Sequence, residues 1–211
     1  MSDIVLTEEM LSSLRDRIKP YLSAKRYSHT LGVEKECEKL GMIFLPDKVM
    51  KLRAAAILHD ITKMLSLEKQ LNYCGEFGIM YGKDELSSPK LFHAITAAEL
   101  IKRDFHDCVD DEIVSGVRWH TTGRRGMTLF EAIVYLADYI EETREFEDCV
   151  ELRRYFYGLM EREETPLSAL YKTMIKSFDL TIRGLINDGQ PVAIDTVDAR
   201  NYYIGLNKEI I

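Results

Sequence analysis

A chain of 211 residues, 46% hydrophobic and 30% charged, has enough apolar surface for one packed domain and does not force a second. Its formal net charge of -7 argues against a general binder of nucleic acid or acidic membrane, yet leaves room for a local cationic pocket that takes a small anion. No apolar stretch approaches the roughly 20 residues of a membrane helix, and the acidic stretch from Met1 to Met10 lacks the basic flank and apolar core of a secretory signal.

Thr7 is a good N-cap with Glu8 and Glu9 behind it, and the helix it opens carries Met10, Leu11, Leu14 and Ile18 on one stripe before Pro20 stops it. A second helix holds His29, Leu31, Val33, Cys37 and Leu40, with Gly41 as its expected end. Pro46 and Asp47 open a third, which runs through Ala54, Ala55 and Ala56 to His59. From Leu67 to Ser88 the pattern loosens around Gly75, Gly78 and Gly82, so an irregular, mobile segment is expected there. Pro89 starts a helix with His93, Ile95, Ala97, Ala98 and Leu100, and Asp110 and Asp111 start one with Ile113, Val114, Val117 and His120. The polar run Thr121 to Gly126 follows as a loop, with Arg124 and Arg125 expected in solvent. Helices are then expected over Thr128 to Tyr139, Asp148 to Met160 and Leu167 to Asn187, and Gly189 and Pro191 break the chain before a short tail. No period-two pattern stands out, so the chain reads as all-α and one domain.

Chemistry concentrates where burial should be deepest. His59 and Asp60 end an apolar helix, and Lys63, three and four residues on, faces the same way. A buried, unpaired carboxylate costs several kcal/mol (roughly) or loses its charge, so Asp60 needs a partner. Asp138 follows the apolar run Ile133 to Ala137 and poses the same problem, solved either by a salt bridge to Arg144 or Arg26 or by a metal. Four of the five histidines, His29, His59, His93 and His120, lie among apolar neighbours near helix ends; His106 lies among charged ones and is expected at the surface. Histidine plus carboxylate suits Fe, Mn, Co or Zn better than Mg or Ca. The cysteines Cys37, Cys74, Cys108 and Cys149 form no CxxC pair and read as reduced packing thiols of a cytoplasmic protein.

The series His29, His59-Asp60, Asp138 resembles the HD-domain phosphohydrolase superfamily. Within it the chain is similar to the YqeK group, through Arg26-Tyr27-Ser28-His29, Leu58 to Lys63, Leu91-Phe92-His93-Ala94, Trp119 to Gly123, Leu136 to Glu141 with Arg144, and the tail Asp195 to Asn201. These pieces span nearly the whole chain in family order. The resemblance implies a single HD domain over 1–211, with a metal-site core about 21–145 and C-terminal helices with a nucleotide-contacting tail about 146–211. It implies one or two divalent ions, iron first and Mn, Co or Zn as alternatives, held by His29, His59, Asp60 and Asp138. His93 and His120 would bind phosphate or a second metal.

The same resemblance assigns catalysis to Asp60, Lys63, His93 and His120. It assigns nucleotide contacts to Asp60, Ile61, Thr62, Lys63, His93, His120, Thr121, Arg144, Thr196, Val197, Asp198, Ala199, Arg200 and Asn201. The implied reaction is symmetrical hydrolysis of diadenosine tetraphosphate to two ADP, with no nucleic-acid or membrane partner; a homodimer is compatible. Hydrolysis of other nucleotides, or binding without catalysis as a regulator, are the alternatives. Guanosine-tetraphosphate hydrolases fit less well, since Ile61-Thr62-Lys63-Met64 lacks their second acidic pair, and the Gly-Tyr-Pro signature of cyclic-dinucleotide esterases is absent.

Overall fold

The computed structural model describes residues 4–162 and 165–210, and its regular elements are all helical. Met1 to Asp3, in the stretch read as lacking a secretory signal, and Glu163, Glu164 and Ile211, inside the single-domain boundaries, lie outside the described residues. In chain order the helices are α1 (Glu8–Ile18), α2 (Ala24–Phe44), α3 (Val49–Leu58), α4 (Leu67–Phe77), α5 (Lys83–Leu86) and α6 (Phe92–Asp104). They continue with α7 (Asp111–Trp119), α8 (Leu129–Ile140), α9 (Glu147–Met160), α10 (Pro166–Asn187) and α11 (Ile194–Ile210). Local chemistry fixes many of the starts. The side chains of Thr7, Ser23, Ser66, Asp110, Thr128 and Thr165 each accept a backbone N–H of the first turn, a contact that stabilises by about 1 kcal/mol.

The helix α3 is the axis of the core. Leu52 and Ala54 through Leu58 are shut off from solvent, and α1, α2, α7 and α8 pack around them. A helix with no polar stripe has nowhere to go but the interior, and three alanines let its neighbours approach closely. Its one charged residue in that run, Arg53, is buried and paired at 3.0 Å with Glu34 of α2 and also with Glu8 of α1. Arg15 reaches the same Glu34 at 2.6 Å, so one carboxylate ties three helices together. The C-terminus of α3 therefore delivers His59 and Asp60 to the middle of the protein.

Three expectations are corrected. Gly41 does not end α2: the helix runs on to Phe44, and a Cβ at Gly41 would lie 2.9 Å from Leu52 Cδ1, so the glycine serves close approach to α3. The 67–88 segment is not irregular throughout: it holds α4 and the short α5. Gly75 costs α4 about 1 kcal/mol, but the buried Gln70 and Cys74 hold the helix down, and its αL terminator is Gly78, at φ +66°. The tail is a 17-residue helix, α11. Thr196, Ala199 and Tyr203 make an i, i+3, i+7 stripe that is buried on α10, where Tyr203 meets Tyr171 and Phe178 at ring distances of 5.6 and 6.1 Å.

Candidate metal centre

Three histidines arrive at the centre with their tautomer set by the main chain. Each lies at a helix end and turns Nδ1 onto the carbonyl three residues back: His59 to Ala56 at 2.6 Å, His93 to Lys90 at 2.5 Å, His120 to Val117 at 2.7 Å. A carbonyl only accepts, so Nδ1 carries the proton and Nε2 offers its lone pair inward. His29 is oriented differently, with Nδ1 3.0 Å from Glu141 Oε1 and Nε2 turned toward Asp138. Four buried imidazoles thus present Nε2 to one small volume, the arrangement in which an outer partner orients a metal-binding ring.

Asp60 stands between them. Its Oδ2 lies 3.4 Å from His59 Nε2 and 3.9 Å from His29 Nε2; its Oδ1 lies 3.3 Å from His93 Nε2 and 3.7 Å from His120 Nε2. Asp138 Oδ1 is 3.0 Å from His29 Nε2 and 3.7 Å from His59 Nε2. Arg26 holds Asp60 Oδ2 at 2.8 Å, and Arg144 holds Asp138 Oδ1 at 2.6 Å. Of the two candidates for a salt bridge to Asp138, then, Arg144 is the one used, and Arg26 serves Asp60 instead.

Burial works against ionisation of both aspartates. The surrounding histidines nonetheless keep Asp60 well below the usual carboxylate range, and Arg144 with His29 does the same for Asp138. Burial also opposes charge on His29, but the Asp138 and Glu141 carboxylates outweigh it and push the pKa up to about 9. Burial pulls His93 down to about 4 in spite of Asp60, and pulls His120 and Lys63 below their ordinary values.

The arrangement fits a divalent cation. The donor atoms of His29, His59 and Asp138 lie within 4.8 Å of one another, and so do those of His59, Asp60 and His120. His59 Nε2 and Asp60 Oδ1 are buried without a hydrogen-bond partner, so two donors of the cluster are left for a ligand. His93 Nε2 and His120 Nε2 meet at 3.0 Å as two acceptors, an approach that calls for positive charge. Lys63 supplies some, with Nζ 3.1 Å from His93 Nε2. The described cysteines are free, buried and outside both donor groups.

The profile of the HD domain matches residues 26–143. The chain belongs to the HD-domain family. It is 32% identical over 193 residues to a Bacillus subtilis (strain 168) protein named symmetrical bis(5'-nucleosyl)-tetraphosphatase, covering 89% of this chain and 94% of that one. A protein of the same name from Halalkalibacterium halodurans is 31% identical over 188 residues, covering 87% and 91%. A solved structure from Clostridium acetobutylicum, described as a predicted HD superfamily hydrolase involved in NAD metabolism, is 33% identical and superposes with a TM-score of 0.81, covering 92% of this chain and 97% of the other.

Not every residue singled out in the sequence meets at the cluster. His29, His59, Asp60, Lys63, His93, His120, Thr121, Asp138 and Arg144 do; Thr121 Oγ1 is 3.2 Å from His93 Nε2. Ile61 and Thr62 are buried beneath it, and the Thr62 hydroxyl donates to the His93 carbonyl at 2.8 Å. In the tail, Thr196 and Ala199 are buried, Asp198 and Asn201 are exposed, Val197 is half-buried, and Arg200 pairs with Asp179 of α10 at 2.5 Å. His106 is exposed, as its charged neighbours imply. Arg125 is in solvent as expected, but Arg124 is not: it pairs at 3.0 Å with the buried Glu131, whose carboxylate also caps α8 through the Thr128 N–H at 2.8 Å.

Two supports escaped the sequence reading. Gln70 of α4 donates to the Thr62 carbonyl at 2.6 Å and accepts from Thr96, which braces the turn after Asp60. Glu141, fully buried, orients His29 and is itself fixed by the N–H and hydroxyl of Thr143, both at 2.7 Å. A Cβ at Gly32 would fall 2.1 Å from Glu141 Oε2, so the glycine is what admits the carboxylate to α2. Loss of such an outer partner typically costs about 10–100-fold in metal affinity. Glu141→Ala is expected to weaken metal retention by that factor with the helical spectrum unchanged, and Gly32→Ala to weaken it in the same direction. Competition with a graded chelator measures both; wild-type retention in Glu141→Ala would remove Glu141 from the centre.

Proposed function

We propose that this chain is a metal-dependent hydrolase that cleaves diadenosine tetraphosphate symmetrically to two ADP. The observation that carries this reading is the buried histidine–aspartate cluster, set in a chain alike over most of its length to proteins named for that activity. His29, His59, Asp60 and Asp138 would hold one divalent ion, iron by preference and Mn, Co or Zn as alternatives; His93 and His120, with Asp60 Oδ1, would face a second ion or the phosphates. The ion supplies activation of water for attack and withdrawal of charge from a phosphoryl oxygen.

The protein's own groups do the rest. Phosphoryl transfer asks mainly for positioning and neutralised charge. Lys63 brings an ammonium beside His93, and Arg26 and Arg144 bring guanidinium groups to the rim of the cluster. Thr121 supplies a hydroxyl donor there; of the tail, Thr196 and Ala199 are buried on α10, which leaves Val197, Asp198, Arg200 and Asn201 as its candidates for touching the nucleotide. Attack at a phosphorus next to the central bridging oxygen breaks the bond to that oxygen and expels ADP, which needs little help from a general acid. The single-domain boundaries 1–211 belong to the same reading, as does action in the cytoplasm on free nucleotide; a homodimer is compatible with it. No helix among the described residues is long and apolar enough to cross a membrane.

Anaerobic purification, elemental analysis and a chromatographic assay of a dinucleotide panel with Fe, Mn, Co and Mg test the proposal. Metal in the protein, loss of turnover on chelation and ADP as product from diadenosine tetraphosphate are the expected results. Turnover that survives exhaustive chelation would overturn it.

A further inference from the structure

A dinucleoside tetraphosphate has a nucleoside at each end and its symmetrical cut in the middle, so the proposed hydrolase needs two nucleotide subsites. Lys63, His93, His120 and Thr121 account for the phosphate end of one. A cavity of about 660 Å³ opens beside His29, inside the range of about 300–1,000 Å³ usual for small-ligand sites. None of those residues is in its described wall, which sets Lys25, Arg26, Arg144, Met64 and Phe146 beside the carboxylate of Glu145.

The composition of that wall is specific. Arg26 and Arg144 join it to the metal cluster through their contacts with Asp60 and Asp138. Lys25 is exposed and its ammonium pairs with none of the described residues, so it is available to phosphate. Phe146 is 67% exposed and Met64 55% exposed. Phe146 occupies the N-cap of α9, a position that favours Ser, Thr, Asp or Asn, and it caps nothing there. It also stands outside the hydrophobic core, so neither helix capping nor burial accounts for an aromatic ring at the cavity mouth.

We propose that this cavity is the subsite for the second nucleoside diphosphate half, with the Phe146 ring on its base, Met64 beside the ring and Lys25 on its phosphates. The proposal rests on the hydrolase reading above. Base–aromatic stacking and an added phosphate cation both act on binding of that half alone.

The test compares diadenosine tetraphosphate with adenosine 5'-tetraphosphate, which has the same phosphate chain and one nucleoside. Phe146→Ala is expected to lower the ratio of kcat/KM for the first over the second by about 5–100-fold, mostly through KM. Phe146→Trp should restore the ratio, and Lys25→Ala should lower kcat/KM for both substrates in a salt-sensitive way, because both carry the phosphates it faces. Calorimetric binding of a methylene-bridged dinucleotide analogue gives the same comparison without turnover, and circular dichroism checks the fold of these exposed substitutions. A wild type that splits the dinucleotide, while Phe146→Ala keeps its ratio and both alanine variants keep its analogue affinity, overturns the subsite alone. A wild type that does not split the dinucleotide overturns the hydrolase reading and the subsite with it.

Discussion

His59→Ala and Asp60→Ala are expected to lose bound metal and all measurable turnover, whereas His106→Ala keeps both. His59 belongs to both candidate donor groups, and its Nε2 is buried with no hydrogen-bond partner. Asp60 is the carboxylate that all four inward imidazoles approach within 3.9 Å. Removing either takes away a donor that no neighbour can replace, so the loss should exceed the ~10–100-fold typical of an outer partner such as Glu141. His106 makes an informative control because its local geometry is the same: Nδ1 sits 3.2 Å from the carbonyl of Arg103, three residues back. What it lacks is a buried carboxylate opposite Nε2. Elemental analysis after dialysis, with a circular dichroism spectrum to verify folding, separates the cases. If folded His106→Ala lost metal as His59→Ala does, the helix-end contact rather than the buried cluster would be what matters.

The buried titratable residues were legible in the sequence because each stands where its neighbours forbid solvation. His59 and Asp60 follow Ala54 to Leu58, and Asp138 follows Ile133 to Ala137; a charge at those places needs a partner whatever the fold turns out to be. His106 was legible for the opposite reason. Which partner each charge takes was not legible. Arg26 and Arg144 were equivalent candidates until α2 and the turn after α8 were set in space. Glu141 sits 112 residues from His29 in sequence, and Gly32 matters only because that carboxylate lies against α2. In segment 67–88 the glycines read as breakers because the burial of Gln70 and Cys74, which compensates them, depends on α6 lying alongside. The tail misled because Gly189 and Pro191 drew attention from the i, i+3, i+7 stripe of Thr196, Ala199 and Tyr203, whose burial partner is α10.

Diadenosine tetraphosphate is expected to give two ADP, and Lys63→Ala to slow that reaction while leaving metal content unchanged. Lys63 ligates nothing. Its Nζ lies 3.1 Å from His93 Nε2 and 3.9 Å from Asp60 Oδ1, so it can follow charge on a phosphate at the rim of the cluster without holding the ion. Burial lowers its pKa, which marks the cost of keeping an ammonium there and the strength with which it favours an anion. Loss of one preorganised donor to a transition state typically costs about 2.7–4 kcal/mol, a fall of about 10²–10³ in turnover. Metal analysis and kcat on the same preparation of Lys63→Ala measure the two properties independently; a parallel loss of metal would make Lys63 part of the scaffold instead. The position of the cut is decided separately. Reaction in oxygen-18 water should place the label on ADP, because the bond that breaks joins the attacked phosphorus to the central bridging oxygen. ADP should also inhibit as product, since each half of the substrate leaves from a site shaped for it. Equal yields of ATP and AMP would mean that the chain seats its substrate one phosphate out of register, with water meeting an outer phosphorus, and that seating would fail even with every metal donor correctly assigned.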